Sequence, residues 1–132
     1  MEKTYVMLKP DAVKRKLAGE IISKIEKKNF QITNMKMFSL TEEKVREHYS
    51  HLVDRVFFGE ILEFMTSGPV IGMVVEGDGV IDGVRRLIGP TKWEEALPGT
   101  IRGDYANTTN ENLIHGSDSK ETAEKEIKRF MV

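Results

Sequence analysis

An α+β sandwich is the fold class this sequence predicts, on three observations. Four segments, near residues 4, 30, 69 and 113, have strand character, and helical periodicity follows the first and the third. The third segment, PVIGMVVEG, is apolar almost throughout, as a strand buried on both faces would be. The order strand, helix, strand, strand, helix, strand closes into a four-stranded antiparallel sheet with helices packed on it, a ferredoxin-like sandwich. At 132 residues the chain fits one domain, residues 1–132, large enough to bury a core unaided.

Each element has its own warrant. TYVMLK at 4–9 is a strand that Pro10 and Asp11 end. Leu17, Ile21, Ile22 and Ile25 recur at helical spacing; Lys24, Lys27 and Lys28 complement the dipole of the last turns, and Asn29 is the stop. FQITNMKMFSL at 30–40 is the second strand. TEEKVREHYSHL opens a helix behind Thr41 as N-cap, and FFGEILEFM at 57–65 is another; both are insertions between strands two and three. PVIGMVVEG at 69–77 is central, GVIDGVRRLIG at 79–89 is helical, and SKETAEKEIKRF turns Ala123, Ile127 and Phe130 toward the core. Between Gly89 and Asn112 no periodicity persists. A loop that long inside a compact domain is functional or disordered. Disorder would leave Trp93, Leu97, Ile101 and Tyr105 wet, so the segment reads as an ordered loop carrying Thr91 and Arg102 toward a site.

Composition excludes several chemistries. With no cysteine there is no thiol nucleophile and no Cys-based zinc site, which fits a reducing compartment. No run approaches the roughly 18 apolar residues of a membrane span, and MEKTYVMLKPD is too brief for a signal h-region, so the expected location is the cytoplasm. Twenty basic against twenty-one acidic residues leave a net charge of -1, with no whole-molecule attraction to nucleic acid or an anionic membrane. An anionic ligand must therefore be held by locally gathered Lys and Arg.

Chemistry concentrates in NLIHGSDS at 112–119. The plain reading is a strand-to-helix turn with a surface histidine, its helix capped by Asp118 or Ser119 with Glu121 completing a box-like pattern. The sharper reading needs a partner for His115. Glu126 lies about two turns into the helix, and it reaches His115 only if the turn folds back. A carboxylate-paired imidazole has a fixed tautomer and an outward lone pair, and imidazole is mostly neutral at pH 7, so it can act as a nucleophile. Lys9, Arg85, Thr91 and Arg102 are the kinds of group that cradle phosphate. Singly, Lys9 also reads as a strand flank, and Arg85 with Arg86 as a solvated helix face. His48 and His51 beside Glu47 hint at a metal site, yet no third ligand shares their face, and a wet helix face is the stronger reading.

KPDAV at 9–13, HY at 48–49, FF at 57–58, SGP at 67–69, RRLIGPT at 85–91, PGTIRGD at 98–104 and NLIHGSDS with Glu126 resemble, in the same order, the motifs of nucleoside diphosphate kinases. The resemblance runs from Lys9 to Glu126. It implies ping-pong transfer of a terminal phosphoryl group from a nucleoside triphosphate to a nucleoside diphosphate, with His115 as the nucleophile that becomes phosphohistidine. It implies that Glu126 and Ser117 orient the imidazole, and that Lys9, Tyr49, Arg85, Thr91 and Arg102 serve the phosphates and the histidine. Asn112 corresponds to the ribose contact and Phe57 to the ring on which any base stacks, with Ile61 and Thr109 lining the base slot. Mg2+ is expected to arrive with the nucleotide and to touch protein through water near Asp118. The partners implied are nucleoside di- and triphosphates and further copies of the chain, as a homo-hexamer or tetramer, with no membrane and no nucleic acid required. Val56 and Trp93 stand where the family usually has proline, and the sequence ends six residues after Glu126, without the tail of longer members. The alternative from another class is a non-catalytic nucleotide- or RNA-binding module of the same fold. RNA binders of that kind display aromatics on the sheet, whereas PVIGMVV reads as buried.

Overall fold

A computed structural model describes the whole chain, Met1 to Val132. Its elements run β1 (Lys3–Leu8), α1 (Pro10–Lys14), α2 (Ala18–Lys27), β2 (Gln31–Phe38), α3 (Glu42–His48), α4 (Phe58–Met65), β3 (Val70–Glu76), α5 (Val80–Ile88), α6 (Ile101–Tyr105), β4 (Ile114–Gly116) and α7 (Lys120–Met131). The sheet order is β2-β3-β1-β4 and every pairing is antiparallel. This is the ferredoxin-like α+β sandwich the pattern predicts, with α3 and α4 inserted between the second and third strands.

Strand alternation divides the core. Val6 and Leu8 of β1, with Ile71, Met73 and Val75 of β3, face α2 and α5 and join a cluster of 15 buried residues that includes Ile21, Ile25, Val84 and Ile88. Tyr5 and Met7 point the other way and pack with Val45, Phe58, Met65 and Phe130 from α3, α4 and α7. β3, central in the sheet, has six of its seven residues buried, as its unbroken apolar run requires. Gly72 sits where a β-carbon would lie 2.6 Å from the Tyr5 hydroxyl and 3.1 Å from Met131 Sδ. Its bareness is what lets Tyr5 and α7 settle onto the sheet.

Caps follow local chemistry. Thr41 accepts from the Lys44 N–H at the start of α3, and Ser119, not Asp118, accepts from the Thr122 N–H at the start of α7. Asn29 takes a positive φ of 67° after α2, as a stop residue should.

Two expectations need correction. Pro10 and Asp11 do end β1, but they also begin a helix, because proline's fixed φ suits the first helical position. The segment from 90 to 111 is ordered but not a bare loop: a 3-10 turn spans Trp93–Glu95 and α6 follows it. Ile101 is buried, and Trp93 and Tyr105 pack against the α2/α5 core, but Leu97 remains 72% exposed.

Candidate active site

The site forms where β1 ends and β4 begins. His115 pairs with Met7 across the two strands, so its side chain lies on the Tyr5/Met7 face, the one α7 covers. Lys9 continues the same alternation one residue past β1. The turn at Ser117 and Asp118 does fold back: Ser117 hydrogen-bonds its N–H to the Tyr5 carbonyl, and α7 returns across β1. That return sets Glu126 Oε2 2.8 Å from His115 Nε2. Ser117 Oγ donates to the other carboxylate oxygen and accepts from the Tyr5 N–H. Ser117 and Glu126 are both buried. Because an ionised carboxylate can only accept, the imidazole proton sits on Nε2, leaving a lone pair on Nδ1.

His115 is a quarter exposed and lines a cleft of about 1370 Å³ together with Lys9, Tyr49, Phe57, Arg85, Thr91, Arg102, Asn112 and Asp118. The structure thus gathers every candidate named from sequence around one cavity except Ser117, which lies beneath it. Phe57 precedes α4 and is 42% exposed, while its neighbour Phe58 is buried in the core. Ile61 and Thr109 also line the cleft. Lys9 Nζ donates to Asn112 Oδ1 at 2.8 Å, and Asn112 Nδ2 donates to the Thr109 carbonyl. Burial first, and then the Arg102 charge, pull the Lys9 ammonium down to about 8, with Asp11 opposing them. Burial and the Glu126 charge push the Tyr49 phenol up to about 12, so it stays a neutral donor at pH 7.

Arg102 is more occupied than a phosphate cradle alone would suggest. Its guanidinium is buried and donates to the carbonyls of Asn112, Ile114 and Gly89. Three of five N–H groups are spent this way and two remain. Burial and then Arg85 lower its pKa to about 10, which leaves it charged at neutral pH.

His48 departs most from expectation. It is no wet helix face: its side chain is 6% exposed, with its ring 4.8 Å from that of His115 and 5.2 Å from Phe130, while His51 is exposed on the following turn. Arg129 Nη1 donates to its Nδ1 at 3.0 Å. Burial, then the neighbouring His115 and Arg129, depress its pKa far below the usual imidazole range, so it is a neutral wedge behind the site. In the HY pair only the tyrosine suggested a role. His48, His115 and Glu126 offer three ligand atoms within 4.8 Å, yet two are nitrogens and Arg129 presses on one. That donor set does not suit magnesium. Asp118, an exposed carboxylate lining the cleft, offers the oxygen donor that magnesium prefers.

Fold and cleft together define a class: ferredoxin-like proteins with one imidazole set in a cleft among arginines and a lysine. A family model described as nucleoside diphosphate kinase matches residues 2–132. The chain is 56% identical to a nucleoside diphosphate kinase of Exiguobacterium sibiricum over 96% of its own length and 92% of the relative's. The crystal structure of nucleoside diphosphate kinase from Encephalitozoon cuniculi superposes with a TM-score of 0.96 at 46% identity, covering 99% of this chain and 89% of that one. A halophilic nucleoside diphosphate kinase from Halobacterium salinarum in complex with CDP gives 0.94 at 45%, covering 98% and 86%. The chain belongs to the nucleoside diphosphate kinase family, and with it to the nucleotide-binding kinases. No helix is long and apolar enough to cross a membrane.

Proposed function

We propose that this enzyme moves the terminal phosphoryl group of a nucleoside triphosphate onto a nucleoside diphosphate through a phosphohistidine at His115. One observation carries the reading: His115 has Nε2 tied to a buried carboxylate and sits in a cleft it shares with Lys9, Arg85 and Arg102. In the first half-reaction Nδ1 attacks the terminal phosphorus and the bond to the bridging oxygen breaks, releasing a nucleoside diphosphate. In the second, a terminal oxygen of another diphosphate attacks the phosphoimidazole and frees Nδ1.

Glu126 keeps the proton on Nε2 and balances the positive charge the ring develops, while Ser117 fixes the carboxylate. Phosphoryl transfer asks little else of a protein beyond position and charge. Lys9, Arg85, Arg102, Thr91 and Tyr49 supply those to the phosphates, the last two as neutral hydroxyl donors. Asn112 meets the ribose. Phe57 stacks on the base, with Ile61 and Thr109 beside it, and a stacking platform accepts any base. Magnesium, when bound with the nucleotide, neutralises charge on its phosphates. Asp118 would hold it through water. A cytoplasmic homo-oligomer, hexameric or tetrameric, completes the proposal, and light scattering distinguishes the two.

Incubation with ATP labelled at the terminal phosphate should place acid-labile label on His115, and added GDP should remove it as labelled GTP. A protein that stays unlabelled, or an His115→Ala variant that still labels and transfers, would overturn the mechanism.

A further inference from the structure

We propose that Asp11 is a positioning residue for this reaction, holding in place the strained turn on which Asn112 and His115 are mounted; the proposal rests on the phosphohistidine reading. Leu113 is fully buried, with φ at 77°, a conformation unfavourable for a residue with a β-carbon. The Ile114 N–H donates back to the Asn112 carbonyl at 2.9 Å, closing a γ-turn centred on Leu113, and the positive φ makes it the rare, strained hand of that turn. Such geometry persists only where its surroundings over-determine it.

Three braces do so. Arg102 holds the Asn112 and Ile114 carbonyls. The Lys9 N–H holds the Leu113 carbonyl at 2.8 Å. Asp11 Oδ2 accepts the Leu113 N–H at 3.1 Å. Lys9 and Arg102 also face the cleft, whereas Asp11 does not line it and is 3% exposed, so it acts only through others. Its Oδ1 has no hydrogen-bond partner, and burial pushes the carboxyl above its usual range while the Lys9 ammonium, and after it the nearby backbone N–H groups, pull it back. Asp11 and Lys9 therefore favour each other's charged forms, against burial and, for Lys9, against the nearby Arg102, with His48 also within reach of the ammonium. Without Asp11 the turn loses its brace on one side and Lys9 loses its counter-charge.

Asp11→Asn and Asp11→Ala separate the two effects, compared where circular dichroism shows both folded. Asp11→Asn keeps an oxygen for the Leu113 amide. It should label His115 within about 3-fold of the parent rate at neutral pH, keep that amide protected from hydrogen exchange, and move the alkaline fall of kcat/KM to lower pH. Asp11→Ala should label His115 about 10- to 100-fold more slowly, with the Leu113 amide open to exchange. A folded Asp11→Ala that labels at the parent rate or keeps the amide protected overturns the proposal, as does an unmoved alkaline limb in Asp11→Asn. If Asp11→Ala does not fold, Asp11→Ser, too short to reach the amide, replaces it with the same expectations. Failure of the unaltered protein to label at His115 would instead defeat the phosphohistidine reading itself.

Discussion

The two faces of the sheet are both closed by helices, but they enclose different things. Under α2 and α5 lies the larger cluster of 15 buried residues, an apolar layer in which side chains contribute volume. Under α3, α4 and α7 the cluster is smaller, and its apolar packing gives way toward the cleft to a line of buried polar groups: Ser117, Glu126 and, beside them, His48. There side chains contribute position. Desolvation raises the cost of a misplaced polar group, so a hydrogen-bonded line of this kind holds its members tightly when satisfied. Stability and chemistry should therefore separate by face, and four measurements test whether they do.

The largest effect belongs to the polar face. His115→Ala should lower nucleotide-to-nucleotide phosphoryl transfer by at least about 10⁴-fold in a coupled assay, with a melting temperature close to that of the parent protein. Next comes the apolar face. Ile25→Ala should destabilise by about 2–5 kcal/mol in urea unfolding and leave kcat/KM unchanged where the protein is folded; a proportional loss of activity would show the faces to be coupled.

The third effect is a pH dependence centred on Lys9. With its pKa near 8 in the folded protein, kcat/KM should fall about tenfold per pH unit above that value, and Lys9→Arg should abolish the fall. Stability should respond in the opposite sense. The unfolded chain binds the proton more tightly, with an ordinary value of 10.5, so protonated Lys9 opposes folding below about pH 8. That penalty lifts as pH rises from about 8 toward 10.5. The smallest effect is at Thr4, whose buried hydroxyl has no partner on the otherwise apolar side. Thr4→Val should stabilise by no more than about 1 kcal/mol in the same unfolding experiment, without a kinetic signature.

Much of this was legible in the chain. The apolar runs in TYVMLK and PVIGMVVEG defined these two strands, because burial on both faces leaves a nearly continuous apolar segment that one sequence can display. The candidate site residues were visible for a different reason: singly, His115 and Lys9 also had plain readings, and it was the ordered set of motifs from Lys9 to Glu126, similar to those of nucleoside diphosphate kinases, that gave them and their neighbours roles. What stayed hidden depends on which helix lands where. Nothing in HYSHL tells that His48 turns inward behind His115 while His51 stays in water, since α7 and its Arg129 decide it from 81 residues away. Arg102's hold on three carbonyls was hidden likewise, because backbone acceptors have no signature in side-chain pattern.

Gly72 shows how far the reach of such placement extends. A methyl group there would push on the Tyr5 hydroxyl and on Met131, and Met131 belongs to the same helix as Glu126. A tilt of that helix would draw the carboxylate off the imidazole with every residue of the cleft intact. If the helix gives way rather than the flexible Met131 side chain, activity depends on a residue with no side chain, in the middle of a strand and outside the cleft lining.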